Sequence, residues 1–263
     1  MRKPVALTIA GTDSGGGAGI AADLKTFEAH GVWGACAVTA VTAQNTLGIQ
    51  AREDVPPEVV RAQMTSVAAD LGVNAAKTGM LVRSETVRTV IDTVRQLGIG
   101  PLVVDPVLVS GHGDPLLDLD GIEVLRDELL PLAMVVTPNL AEAAVLAQQA
   151  VDGRETMELA AAVIASGGPP VVLVTGGHLA AEDSPDCLYD NGQIRWLEGP
   201  RLNMPHNHGG GCVLSAAICA ELARGMDPGD ACVAAKQFTQ RALAAGFRLG
   251  SGIGPVDPGW ERL

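Results

Sequence analysis

The sequence predicts an α/β fold, with a mostly parallel central sheet, helices on both faces and a small antiparallel hairpin at one edge. Three observations carry this. Short apolar runs end in Gly, Asp, Pro or Asn, and longer amphipathic stretches alternate with them. One segment, "DCLYDNGQIRWLEG" (186–199), differs by placing Asp-Asn-Gly between two alternating strands. Near-continuous β-branched runs separated by helices read as parallel strands buried on both faces. An Asn-Gly turn between alternating runs reads as a hairpin, which sits as an antiparallel edge.

In chain order, "VALTIAG" (5–11) is a strand closed by glycine, and the helical stretch 19–30 follows its glycine-rich turn. "ACAVTAVTA" (35–43) is the second strand and 57–70 the second helix. "VNAAKTGM" (73–80) leads to a helix at 84–97, and "PLVVDPV" (101–107) to one at 120–130. "AMVVTPN" (133–139) precedes helices at 140–149 and 155–166, and "PVVLVTGG" (170–177) is the last strand before the hairpin. From Gly209 two long helical patterns close the chain, with "MDPGD" turning between them. No Ser-rich linker, charge block or internal repeat divides the sequence, so a single domain over 1–263 is expected.

Composition excludes several classes. Hydrophobic residues make up 47% of 263, enough for a sizeable core and against disorder. Aromatics are only 3%, too few for a base-stacking platform. Eighteen basic against thirty acidic residues give a net charge of -12, which repels a phosphate backbone, so nucleic acid is not an expected partner. The five cysteines form no C-x-x-C pair, as expected for free thiols in a reducing cytoplasm. The amino terminus lacks the pattern of a secretory signal, and no apolar window approaches eighteen residues, so no membrane span is expected. The P-loop, G-x-G-x-x-G, H-E-x-x-H and G-x-S-x-G motifs are absent.

Ligands of open parallel sheets bind at the carboxyl ends of the strands. Here those ends read "GTDSGGGAG", "AQNT", "KTGM", "DPV", "TPNLAE" and "TGGH", and the penultimate helix opens from "HGGGC". Gly209, Gly210 and Gly211 let backbone N–H groups approach a ligand, and a helix N-terminus adds roughly half a positive charge. That combination suits a transferring phosphoryl group. Cys212, in the first turn, is expected to have a thiol pKa below its usual value of about 8.5. Two readings stand for it, a proton acceptor or a small buried hydrophobe. Gln44 offers an amide donor and acceptor side by side, complementary to an aminopyrimidine edge; a turn cap is the other reading. Asp105, before Pro106, is either a ligand for Mg²⁺ and phosphate or the start of an Asp-Pro turn. Lys77 is either a cation near the site or a solvated lysine.

Taken together, "ALTIAGTDSGGGAGIAADLKTF", "TAVTAQNTLGIQ", "AAKTGML", "PLVVDPV", "GDPLL", "LVTPNLAEA", "GGHL" and "HGGGC" resemble the hydroxymethylpyrimidine/phosphomethylpyrimidine kinases of thiamine biosynthesis. These kinases belong to the ribokinase-like superfamily. The resemblance spans nearly the whole chain. It implies ATP-dependent phosphorylation of 4-amino-5-hydroxymethyl-2-methylpyrimidine, and then of its monophosphate to the diphosphate. It implies Cys212 as catalytic base with Gly209, Gly210 and Gly211 as an anion hole. Gln44 matches the pyrimidine-binding residue, and Gly11, Asp23, Met80 and Val107 match positions lining that pocket. Asp105, Asn139, Glu142, Thr175 and Gly177 fall to the ATP side, where Asp105 and Glu142 match the Mg²⁺ region. Related folds are often homodimers.

The chain departs from the family pattern at Thr175, where many relatives carry lysine, and at "SGHG" (110–113), where others read Lys-Ser-Gly. Loss of one charge-stabilising donor costs on the order of 3 kcal/mol of transition-state binding. "VSGHGD" (109–114) is the candidate lid. Two other functions are weighed against the leading one. A pyridoxal kinase on this fold is disfavoured by Gln44 and mildly favoured by Thr175. A protein that binds the pyrimidine without turning it over is disfavoured by the intact set Asp105, Asn139, Glu142 and Cys212.

Overall fold

The computed structural model describes residues 3–110, 113, 115–177, 179, 183–202 and 204–260. Nine strands form one sheet: β1 (Val5–Gly11), β2 (Trp33–Asn45), β3 (Gly48–Asp54), β4 (Ala75–Thr78), β5 (Leu102–Val104), β6 (Val135–Val136), β7 (Val171–Val174), β8 (Asp186–Asp190) and β9 (Gln193–Leu197). Their spatial order is β3-β2-β1-β4-β5-β6-β7-β8-β9. The strands from β2 to β7 in this order pair in parallel, while β3, β8 and β9 join antiparallel to their neighbours. The helices are α1 (Gly19–Ala29), α2 (Pro57–Asp70), α3 (Ser84–Leu97), α4 (Leu119–Val124), α5 (Leu140–Ala147), α6 (Arg154–Ser166), α7 (Gly210–Ala223) and α8 (Pro228–Ala244). Among the described residues no helix is long and apolar enough to cross a membrane.

Both faces of the sheet are covered, which is why the short strands read as unbroken apolar runs. Alternate residues supply two separate cores. Leu7, Ala76, Leu102, Val104, Val136 and Val172 face one layer. Ala6, Ala75, Val103, Val135, Val171 and Leu173 face α7 and α8. Helix α7 is apolar on all sides because it lies in the interior, and every residue from Val213 to Ala223 is buried. Helix α3 shows the opposite pattern, a stripe of Val87, Val90, Ile91 and Val94 against the sheet, stopped by Gly98 in the left-handed region. The β8–β9 turn places Asn191 at φ 48° and Gly192 at φ 92°, as an Asn-Gly hairpin requires.

The structure departs from the sequence expectation in two elements. Strand β3 was not expected, since its residues are mostly exposed and give no apolar period. It turns back beside β2, which reaches Asn45 and overhangs the sheet as a two-stranded flap. The register slips at Ala43/Gln44, and a bulge of this kind re-aims the side chains beside it. The helix expected at 120–130 is α-helical only to Val124; it widens to a π-turn over Leu125–Leu129 and tightens to 3₁₀ over Leu130–Leu132. Pro131 lacks an N–H and its ring crowds the carbonyl four residues back, so the regular ladder ends there.

The chain leaves β1 to one side, through α1 to β2, while from β4, on the other side of β1, it runs the opposite way to β5. Such a reversal opens a crevice at the carboxyl ends of the two strands.

Candidate active site

That crevice collects the polar residues. In β1 and β4 the positions that follow Ala6 and Ala75 on the α7 face are Thr8 and Lys77, and Asp105 follows Val103 beyond β5. Lys77 and Asp23, from α1, are fully buried, with Lys77 Nζ 2.8 Å from Asp23 Oδ1. The Thr8 hydroxyl donates to Asp23 Oδ2 at 2.6 Å. Burial alone pulls the ammonium down, but the charge of Asp23, helped by that of Asp105, outweighs it and holds Lys77 above its ordinary value. Lys77 is therefore a charged, desolvated cation at the centre of the site and not a solvated lysine.

Asp105 is buried and accepts a 2.8 Å hydrogen bond from the Ser215 hydroxyl of α7. Asn139 and Glu142 form a capping box at the start of α5. The Asn139 side chain accepts from Glu142 N at 3.0 Å, and Glu142 Oε2 accepts from Asn139 N at 2.9 Å. Burial, and then the nearby charge of Asp105, push the Glu142 carboxyl up to about 8. Among the described residues no three His, Cys, Asp or Glu side chains gather into a metal cage. Two buried carboxylates, one of which raises the other, still suit Mg²⁺, which takes one or two carboxylates and fills its shell with water and substrate phosphate.

A stability effect follows from Glu142. The unfolded chain loses its Glu142 proton near 4.5, while the folded protein keeps it to about 8. Between these values the unfolded state binds fewer protons, so folding stability falls as pH rises. Glu142→Gln keeps the cap and removes the titration. Urea denaturation in metal-free buffer at pH 5 and pH 8 is expected to show a wild-type loss on the order of a few kcal/mol that the variant lacks.

The glycine loops are packed backbone on backbone. Gly209 has φ 85°, and a Cβ there would enter the Gly17 carbonyl oxygen. Helix α7 begins at Gly210 without a side-chain cap; Gly210 N donates to Asn207 O at 3.2 Å, and the next N–H groups of the first turn have no partner within the helix. Cys212 lies in this first turn and is half-buried. Its thiol is not lowered as the sequence suggested. Burial pushes it up to about 12; Lys77 and the Gly19 amide pull it down, and Asp23 and Asp105 push it further up. Desolvation and two carboxylates outweigh the helix N-terminus, and the thiol is neutral.

Gln44, on the flap, is half-buried. Its backbone N–H donates to Ser14 Oγ at 2.7 Å, and its carbonyl accepts from the same hydroxyl at 2.8 Å. Its amide Nε2 lies 3.5 Å from His208 Nε2, and its Oε1 lies 3.3 Å from the Thr42 hydroxyl. That hydroxyl has a single proton and a better acceptor, Thr12 O at 2.7 Å. Gly11 faces Met80 so closely that a Cβ there would strike the Met80 methyl. Val107 is half-buried just beyond Asp105, its N–H turned back to Asp105 O at 2.9 Å.

On the far side, Thr175 N donates to Pro138 O at 2.9 Å, which sets Thr175 beside Asn139. Gly177 O accepts from Arg201 Nη1 at 2.8 Å. Beneath this loop Lys236 Nζ pairs with Asp186 Oδ2 at 2.8 Å, and Asp186 Oδ1 accepts from Gly176 N at 2.9 Å. His178 and positions 111, 112 and 114 of the expected lid fall outside the described residues; the lid's base is closed by a bridge between Val109 and Pro115.

Residues 13–257 match the family model described as phosphomethylpyrimidine kinase. The chain belongs to the phosphomethylpyrimidine kinase family. A hydroxymethylpyrimidine/phosphomethylpyrimidine kinase of Streptomyces coelicolor is 50% identical over 260 residues, covering 99% of this chain and 96% of that one. Among solved structures, a Bacillus subtilis pyridoxal kinase in complex with ADP superposes with a TM-score of 0.93 at 37% identity over 99% of both chains. A phosphomethylpyrimidine kinase from Clostridium difficile gives 0.82 at 36% identity, over 92% of this chain and all of that one.

Within this phosphomethylpyrimidine kinase fold, the site brings Asp23, Asp105 and Cys212 around Lys77, Glu142 within reach of the Asp105 charge, and Gly11 against Met80. Sequence reasoning missed Asp13, Thr12, Thr42 and Ser215. For Asp13 a signal existed, since an aspartate before a run of glycines commonly turns its carboxylate onto the amides that follow.

Proposed function

We infer that this kinase transfers the terminal phosphoryl group of ATP to the hydroxymethyl group of an aminopyrimidine, and then to the resulting monophosphate. The observation that carries the substrate class is the state of Gln44. Its backbone is fixed through Ser14, while among the described residues its amide oxygen and nitrogen have only the long contacts to Thr42 and His208. A paired donor and acceptor held ready in this way complement an aminopyrimidine edge. Gly11, Met80, Val107 and Asp23 would line the same pocket.

The phosphoryl group would lie over Gly209, Gly210 and Gly211, whose amides offset its charge during a loose transition state. Asp105 and Glu142 would hold Mg²⁺, which when bound supplies charge neutralisation at the phosphates. Asn139, Thr175 and Gly177 would shape the nucleotide side. Cys212 Sγ would take the proton of the attacking hydroxyl. Matching the charge of Asp105 removes one of the influences that hold the thiol up, and leaves Lys77 and the Gly19 amide, which favour the thiolate, opposed by burial and Asp23. We place the enzyme in the cytoplasm as one domain.

The test is ADP release by purified protein with Mg²⁺-ATP and hydroxymethylpyrimidine, its monophosphate or pyridoxal. Turnover of both pyrimidines is the expected result. Turnover of pyridoxal alone would overturn the Gln44 argument, and the 0.93 superposition on a pyridoxal kinase makes that the comparison to run.

A further inference from the structure

Asp13 is almost fully buried just beyond β1, and its carboxylate accepts at both oxygens. Oδ1 accepts from Gly15 N at 2.8 Å; Oδ2 accepts from Gly17 N at 3.0 Å and Ala18 N at 2.8 Å. The same Oδ2 lies 3.0 Å from His208 Nε2. Burial pushes the carboxyl up, but His208 and these amides more than reverse it, so the group is ionised. An ionised carboxylate only accepts, so His208 Nε2 carries the proton and donates it to Asp13. Gln44 Nε2, 3.5 Å from the same nitrogen, cannot also donate to it. One imidazole N–H therefore clasps Asp13 while leaving the Gln44 amide unspent.

His208 immediately precedes Gly209, the residue that opens the anion loop. Its main chain is held on the other side as well, donating to Gly254 O at 3.1 Å and accepting from Val256 N at 3.1 Å. Asp13 sits at the opposite wall, fixing the amides of Gly15, Gly17 and Ala18 that lead into α1. The two glycine loops touch at Gly17 and Gly209 with no room for a side chain between them, so the separation of the walls depends on what holds the main chains together.

We propose that Asp13 and His208 are positioning residues for phosphoryl transfer, clasping the anion loop to the first glycine loop at the place where Gln44 receives the acceptor substrate. The proposal rests on the site reading above. A 1 Å misplacement of reacting groups can cost about a hundredfold in rate, and the clasp acts on that distance and not on the bonds being made.

The test is steady-state kinetics of His208→Ala, His208→Gln and His208→Asn, on protein shown to be folded by circular dichroism. A glutamine amide nitrogen reaches as far as imidazole Nε2, whereas the asparagine nitrogen stops about one bond short. We expect kcat to fall at least tenfold in His208→Ala with the KM for the acceptor changed less than threefold, and His208→Gln to recover most of the loss. If His208→Ala does not fold, the Gln and Asn variants decide: Gln active and Asn impaired supports the clasp. Equal kcat in those two, or a folded His208→Ala within twofold of wild type, overturns it. If the wild type turns over pyridoxal and no pyrimidine, the substrate reading fails, and the same variants assayed on pyridoxal still decide the clasp.

Discussion

Lys77→Met will destabilise the protein by about 3–5 kcal/mol in urea denaturation, the range for removing one partner of a buried ion pair. The size comes from the carboxylate left behind. Asp23 is wholly buried, and among the described residues its other oxygen accepts from the Thr8 hydroxyl alone. Methionine fills most of the lysine volume, so the loss is electrostatic and not a cavity. Asp23→Asn combined with Lys77→Met removes both charges and keeps a partner for Thr8. The pair is expected to be clearly less destabilising than the single change, because desolvating two ions costs nearly what their attraction returns. A Lys77→Met protein within 1 kcal/mol of wild type would mean that Asp23 is neutral.

Cys212→Ala is expected to keep its fold and its affinity for both substrates while losing a factor on the order of 10²–10⁴ in kcat, the usual contribution of a positioned proton acceptor. Only one sulfur atom is removed from a half-buried position, so thermal melting should move little. Calorimetric titration with a non-hydrolysable nucleotide separates binding from chemistry. A variant with full kcat would take the thiol out of the mechanism and leave catalysis to the amides and the charges. The wild-type thiol, held up to about 12 by burial and two carboxylates, should react slowly with iodoacetamide at neutral pH when no nucleotide or acceptor is added.

How much of this was legible beforehand depended on whether a feature is local. The strand Val5–Gly11 and the helices Pro57–Asp70 and Ser84–Leu97 coincide with the expected elements, because each carries its own period and stop signal. The hairpin around Asn191–Gly192 was visible in two residues for the same reason. Strand β3 was invisible because both of its faces are mostly solvated, so it shows no pattern until β2 is beside it. Among the site residues, the Asn139–Glu142 pair is a local cap and was readable as a spacing. The state of Cys212 was not. Its helix position was plain, but its expected shift is reversed first by burial and then by the carboxylates of positions 23 and 105, both of which only the fold supplies. Lys77 posed the same problem, since a lone lysine at a strand end is ambiguous until its partner is found 54 residues away. His208 and Asp13, 195 residues apart, are the extreme case.

The contact between Gly17 and Gly209 also bears on how such a site changes over generations. Where the two walls meet, a methyl group added at Gly209 enters the Gly17 carbonyl and one added at Gly17 strikes the His208 ring, so either change disturbs the crevice whatever the substrate. Variation that retunes the acceptor must therefore accumulate at side-chain positions around the rim, such as Gln44, Met80 and Val107. A mutational library built on this chain should yield altered acceptor preference at those three positions and dead clones at the two glycines, even though the glycines have no side chain to select anything.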